Sequence, residues 1–321
     1  MRNAVKTFPA FIVAIVCLAP PLAFAHDPRG AIKQELTAAS RDVIRALNAV
    51  PTAEEATRSV LSNLRLWPVP RKLTVCFVEG SSALRKRVTD VMRRLWPIEE
   101  LADGRLSYDV KSFDSTPDCS VAPADIQVGF KAGDGHWSYV GIESLQHSPS
   151  MNFDGLSEKT EAGEFEGVVG HELGHALGLE HEHQSPAAPR DCGWNFGYLF
   201  SAYQWASEED MVSNFKKLED YMQDGNHAYI FSAYDKASIM HYSFPPKAFK
   251  DGARSPCFID TNNSPSDQDK TAIRVAYGRS AHSQALARSV IPNMWRDRFS
   301  DAAAYAKLQQ LMDLKLKLLG Q

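Results

Sequence analysis

Apolar residues recur along this chain with two different periods, and each switch between them marks a new element. Leu73 to Val78 is an unbroken run rich in β-branched and aromatic residues, closed by Gly80, and it predicts a buried strand. Ser81-Ser82 then cap a helix whose apolar positions Leu84, Val88, Val91, Met92 and Leu95 keep helical spacing until Pro97 stops it. Alternation returns at Leu106, Tyr108 and Val110, and again at Ile126, Val128 and Phe130, giving two more strands. The stretches HWSYVG and SPSMNF (136–141 and 148–153) follow, and Pro149 marks an edge strand, since proline is not tolerated in a sheet centre. Helical spacing resumes at Phe165, Val168, Val169, Leu173, Ala176 and Leu177. This order predicts an α+β fold in which the last helix lies against a mixed sheet in an upper lobe. Beyond residue 181 regularity falls, and one further helix is expected from Ser207 to about Tyr221.

The two ends read differently. Arg2 and Lys6 precede the apolar stretch Phe11 to Ala19, and Ala23-Phe24-Ala25 offers a small-x-small cleavage site, so residues 1–25 are expected to be a signal peptide cut after Ala25. Pro20 and Pro21 interrupt the uncharged run Phe8 to Ala25, which favours a leader over a membrane anchor. Residues 26–70 are expected to form a helical extension or propeptide, with one stripe at Val43, Ile44 and Leu47 and another at Val60, Leu61 and Leu64. The body spans 71–278, and a helical tail, 279–321, carries Leu308, Leu311, Met312 and Leu319 on one side.

Charge and cysteines narrow the class. The formal charge of −4 becomes about −6 once Arg2 and Lys6 leave with the leader, and neither value suits a nucleic-acid binder. Arg85, Lys86, Arg87, Arg93 and Arg94 line the outer face of the first helix and read as a solvated surface. Cys76, Cys119, Cys192 and Cys257 remain in the exported chain, where an even count argues for disulfides and four cysteines allow three connectivities. Pairing Cys76 with Cys119 and Cys192 with Cys257 keeps each bridge on one side of the second long helix in sequence, while buried free thiols stay open as the alternative.

That helix carries the candidate chemistry, in the stretch VVGHELGHALGLEHEH (168–183). His171 and His175 lie one turn apart on one face, where both imidazoles can reach a single ion. Gly178 permits a left-handed turn that ends the helix and brings His181 back from another direction. Three neutral nitrogens and an open position describe a catalytic zinc site, in which bound water is acidified to a pKa of about 7. Glu172 is placed to take the proton from that water and pass it to a leaving amine. The stretch resembles the metzincin zinc peptidases, whose HExxHxxGxxH signature it matches at every fixed position.

Residues 238–244, SIMHYSF, extend the likeness, since Met240 falls where a metzincin methionine turn belongs and the SIMHY phrase is similar to that of the astacin family. The resemblance implies a two-lobed catalytic domain over residues 71–278, one zinc ion, and a protein or peptide substrate. It also implies that Tyr242 lends its phenol to the metal at rest and to the developing oxyanion. Glu182 matches the glutamate that pairs with the processed amino terminus in that family, and Ser266, Asp269 and Tyr277-Gly278 match its closing pattern. The chain departs from the family at HEHQSPAAPRD, which is longer and lacks the arginine after the glutamate segment, and in its cysteine positions. Residues 26–70 hold no blocking cysteine, and Asp27 and Asp42 lie outside the family's blocking motif. His183 and His241 are expected to be structural, and His136, His147 and His227 to be surface residues. The expectation is thus a secreted or periplasmic zinc endopeptidase with no stable membrane insertion; a zinc-binding protein without turnover is the alternative.

Overall fold

In the computed structural model the described residues are 59–62, 65–115, 117–185, 187–203, 207–215, 229–230 and 234–280. The expected signal peptide, the stripe at Val43, Ile44 and Leu47, His227 and the helical tail beyond Ser280 lie outside them. In chain order the strands are β1 (Ser59–Ser62), β2 (Arg71–Leu73), β3 (Val75–Phe77), β4 (Leu106–Tyr108), β5 (Ile126–Gly129), β6 (Trp137–Ser138), β7 (Met151–Asn152) and β8 (Tyr229–Ile230). The α-helices are α1 (Ser82–Leu95), α2 (Ile98–Leu101), α3 (Val110–Ser115), α4 (Ala162–Ala176), α5 (Phe196–Ala202), α6 (Glu208–Ser213) and α7 (Asp267–Tyr277). No helix among the described residues is long and apolar enough to cross a membrane.

A four-stranded sheet in the order β3, β5, β7, β6 frames the upper lobe, its first three strands parallel and β6 antiparallel at the edge. Helices α1 and α4 bury their apolar stripes against one another beside the sheet, through Leu84, Val88, Met92 and Leu95 on one and Phe165, Val169, Leu173 and Ala176 on the other. Ser81 starts α1 by accepting the Leu84 N–H at 3.1 Å, and the chain turns away at Pro97. A second core, built on Leu199, Tyr203, Phe215, Tyr242, Phe244 and Phe249, holds the lower lobe. That lobe is mostly irregular, with short helices, as the sequence led one to expect. The bridges Cys76–Cys119 and Cys192–Cys257 are both formed, with Cα separations of 5.0 and 5.3 Å, one in each lobe.

Several local expectations are corrected. The run Leu73 to Val78 divides into β2, which pairs with β4, and β3, which pairs with β5. Thr74 and Asp125 cause the break, since the Thr74 N–H donates to Asp125 Oδ2 at 3.0 Å and the Asp125 N–H to Thr74 Oγ1 at 3.0 Å. The edge strand is β6, from HWSYVG, whereas β7 is internal and Pro149 lies in its lead-in, where no ladder donor is needed. Ser59–Ser62 is a strand paired antiparallel with β8, so here a tertiary pairing overrides the helical pattern. Helix α6 is described only to Ser213, short of the expected Tyr221. The arginines of α1 are tied to the protein: Arg85 pairs with Asp118, Arg93 with Asp114 and Arg94 with Glu166. Arg87 lies 3.8 Å over the Phe165 ring and donates to the carbonyls of Ser157, Glu158 and Thr160.

Candidate metal centre and active site

Helix α4 delivers the first two histidines. Glu161 caps it by accepting the Glu164 N–H at 3.1 Å, and Trp96 Nε1 donates to the Gly170 carbonyl at 2.9 Å, fixing the helix against the end of α1. His171 and His175 lie one turn apart with ring centroids 4.8 Å apart, edge to face, their planes nearly perpendicular at 84°. The helix closes at Gly178, whose φ of +101° is the left-handed conformation that a side chain would strain. The Gly178 N–H donates to the His175 carbonyl at 2.8 Å and the Leu179 N–H to that of Gly174 at 3.0 Å. The reversed chain brings His181 Nε2 to 3.1 Å from His175 Nε2. The ligand atoms of His171, His175 and His181 all lie within 4.8 Å of one another, and all three rings are buried.

The far nitrogens set the chemistry of the near ones. His171 Nδ1 lies 2.7 Å from the Ile239 carbonyl and His175 Nδ1 lies 2.8 Å from that of Leu179. A carbonyl can only accept, so Nδ1 carries the hydrogen and Nε2 of each neutral ring presents a lone pair. His181 Nδ1 sits 3.1 Å from Gln184 Oε1, the same arrangement with a side-chain amide. Two lone pairs facing at 3.1 Å repel one another unless a cation draws them together. Three imidazole nitrogens with oxygen-bound partners behind them are the donor set that suits zinc.

The methionine turn closes the site from below. A Cβ on Gly174 would lie 2.4 Å from Met240 Sδ, so the bare backbone of α4 is what lets the turn approach. Asp269 anchors that turn: it accepts from Ser238 Oγ at 2.7 Å and from the Ile239 N–H at 2.9 Å while forming a capping box with Ser266 at the head of α7. Burial pushes the Asp269 carboxyl upward, opposed by these hydrogen bonds. Because the Ile239 carbonyl holds His171, Asp269 acts on the ring through a single residue, Ile239. Glu182 ties the returning chain to the same turn, its N–H donating to the Met240 carbonyl at 3.0 Å and its Oε1 accepting the Asp235 N–H at 2.8 Å.

Glu172 and Tyr242 are buried beside the three histidines. Burial pushes the Glu172 carboxyl well above its ordinary range. Burial, then the Glu172 charge, raises the Tyr242 phenol in the same direction, which keeps it protonated. The Tyr242 ring packs against those of His181 and His183, at centroid distances of 4.2 and 4.4 Å. His183 and His241 stand outside the three-histidine group, with His183 Nε2 2.9 Å from the Asn214 carbonyl and His241 Nδ1 2.9 Å from that of Tyr242. His147 stacks on Tyr139 at 3.5 Å. His136 is buried rather than superficial, because its Nδ1 accepts the Asp154 N–H at 2.9 Å and closes the loop before β6.

Sequence reasoning did not find the supports behind the histidines. The carbonyls of Ile239 and Leu179 carry no side-chain signal at all. Asp269 left one, the Ser-x-x-Asp spacing ahead of an apolar helix, which announces a capping box but not its second task of holding the turn.

Comparison with known proteins agrees with this geometry. Residues 120–277 match the sequence profile of the Astacin peptidase family. Zinc metalloproteinase nas-38 of Caenorhabditis elegans is 30% identical over 135 residues, which are 39% of this chain and 16% of that protein, so the match spans about a sixth of that relative's length. The solved structure of myroilysin superposes with a TM-score of 0.54 at 27% identity, covering 68% of this chain and 97% of that one. The cofactor of the family is one catalytic zinc ion, and His171, His175 and His181 form a group whose ligand atoms lie close enough together to hold one metal ion. In sequence over residues 120–277, and in fold over about two thirds of its length, this chain is similar to the astacin-like metzincin zinc metallopeptidases.

Proposed function

We propose that this chain is an exported endopeptidase that hydrolyses internal peptide bonds, with His171, His175 and His181 as zinc ligands and Glu172 and Tyr242 as catalytic residues. The observation that carries the reading is the convergence of three imidazole nitrogens within 4.8 Å of one another, with Glu172 next to His171 on the same helix. Zinc held there supplies Lewis acidity, polarising a peptide carbonyl and acidifying water. Glu172 takes the proton from the attacking water and returns it to the leaving amine. Tyr242, protonated, donates its phenolic hydrogen to the developing oxyanion. The open side of β6 accepts an extended peptide as a further strand, which orients the scissile bond toward the histidines. Two disulfides and the leader-like residues 1–25 support export to an oxidising compartment, with cleavage after Ala25.

The test is to incubate the purified protein with a diverse peptide library and read the cut sites by mass spectrometry, beside Glu172→Gln. Internal cleavage that falls by about 10²–10⁴-fold in the variant, with zinc content unchanged, is expected for a lost general base. Equal cleavage by both proteins would remove the assigned mechanism. Zinc binding with no cleavage by either would favour the non-catalytic alternative.

A further inference from the structure

The turn that presents His181 is gripped from outside by Arg65, Leu66 and Trp67, which precede the first strand of the body. Trp67 is buried, and its Nε1 donates to the Ala176 carbonyl at 2.7 Å. Its N–H reaches the hydroxyl of Tyr277 at 3.4 Å, and that hydroxyl donates to the Leu177 carbonyl at 2.7 Å. These carbonyls end α4, where the helix itself has no donors left to offer. Leu66 Cδ2 lies 2.7 Å from where a Gly178 side chain would begin, filling the space beside the turn. Arg65 spreads its guanidinium between two carboxylates, Nη1 at 3.0 Å from Glu180 and Nε at 3.0 Å from Glu143, while its carbonyl accepts the Ile142 N–H at 2.8 Å.

Five residues separate His175 from His181. Ala176, Leu177, Gly178 and Glu180 are held by this segment directly or through Tyr277, and Leu179 lends its carbonyl to His175 Nδ1. Glu180 is the lever, because it is buried and immediately precedes His181. Without a cation beside it, that carboxylate gains by moving toward water, and it would take His181 with it.

We propose that Arg65–Trp67 is a positioning strap for His181, coupling the chain that enters the catalytic domain to the geometry of the metal site. The proposal rests on the reading of the three histidines as zinc ligands. It places the amino-terminal limit of the working catalytic unit at or before Arg65, ahead of the boundary at residue 70 that composition suggests.

Zinc affinity measured by competition with a chromogenic chelator tests it, on full-length wild type, Arg65→Met, Trp67→Phe and, as a control, Arg85→Gln, which breaks a comparable ion pair far from the site. Circular dichroism establishes first that each apo protein is folded at the temperature used. Supports behind metal ligands typically change affinity by roughly 10–100-fold when removed. A loss of that order in Arg65→Met or Trp67→Phe, with Arg85→Gln at the wild-type value, upholds the strap. A merely structural role would lower the melting temperature and leave affinity alone, so unchanged affinity in both variants overturns it. If Arg65→Met does not fold, Trp67→Phe decides by the same two outcomes, since it keeps an aromatic ring in place while removing the Nε1 donor. An active secreted chain whose first residue lies beyond Arg65 also overturns it. A wild-type protein that binds no zinc refutes the metal site, and the strap with it, before any variant is compared.

Discussion

Replacing Gly174 with alanine sets helix propensity against packing at a single atom. In an unobstructed helix interior the change is worth about 1 kcal/mol of added stability. Here the new Cβ would stand 2.4 Å from Met240 Sδ, 3.3 Å from its Cε and 3.4 Å from Trp96 Cζ2. Met240 is 1% exposed, so its sulfur has no route to solvent. Its backbone is also held, the N–H by Ser238 Oγ at 3.0 Å and the carbonyl by the Glu182 N–H at 3.0 Å. Overpacking a core by one methyl costs about 1–3 kcal/mol, and a contact this short belongs at the upper end. The net expectation is a loss of about 2 kcal/mol, or roughly 4–8 °C in melting temperature for a domain of this size. Thermal and urea unfolding of the chelator-treated protein, followed by circular dichroism, measures it. Gly197→Ala in α5 is the internal control: its added Cβ meets only Asn195 Oδ1, at 3.8 Å, so propensity should prevail and stability should rise by about 0.5–1 kcal/mol. A Gly174→Ala protein as stable as wild type would refute the claim that the methionine turn needs this bare stretch of α4.

Two further outcomes follow from the same structure. His136 is held neutral by burial, which pushes its pKa down to about 4 against the opposing pull of Asp154. The unfolded chain therefore binds the proton first, and the stabilisation is present above pH ~6.5 and lost as pH falls toward 4. Between pH 7 and 4.5, apo wild type should lose about 2–3 kcal/mol more than His136→Asn in urea titrations, and parallel pH profiles would contradict this. Removing the lower-lobe bridge with Cys192→Ser and Cys257→Ser frees a loop of 65 residues, for which chain entropy predicts a loss of about 4 kcal/mol. An unchanged urea midpoint in that double variant would show that the bridge constrains nothing.

Much of this arrangement was readable where one residue type has one physical task. The cap at Ser81, the stop at Pro97 and the stripes of α1 and α4 appeared as written, because local spacing and burial agree there. The three histidines and Gly178 were legible for a similar reason, since a metal and a left-handed turn each restrict the residues that can serve. What escaped was decided by partners distant in sequence. Thr74 breaks a continuous apolar run only because Asp125 meets it, and Ser59–Ser62 is extended because β8 lies alongside. His136 looked like a surface residue until the Asp154 N–H was seen to point at it. The same holds for Trp67, which fell inside the expected extension of residues 26–70 although its ring closes the end of the histidine-bearing helix.

Zinc K-edge X-ray absorption on the metal-replete protein, with metal content measured on the same sample, is the most direct test of the central claim. One zinc per chain, with a first shell of three imidazole nitrogens that changes in His181→Ala, is the result predicted by the convergence of His171, His175 and His181. Absence of bound zinc, or a shell containing sulfur from Met240 or a cysteine, would contradict it.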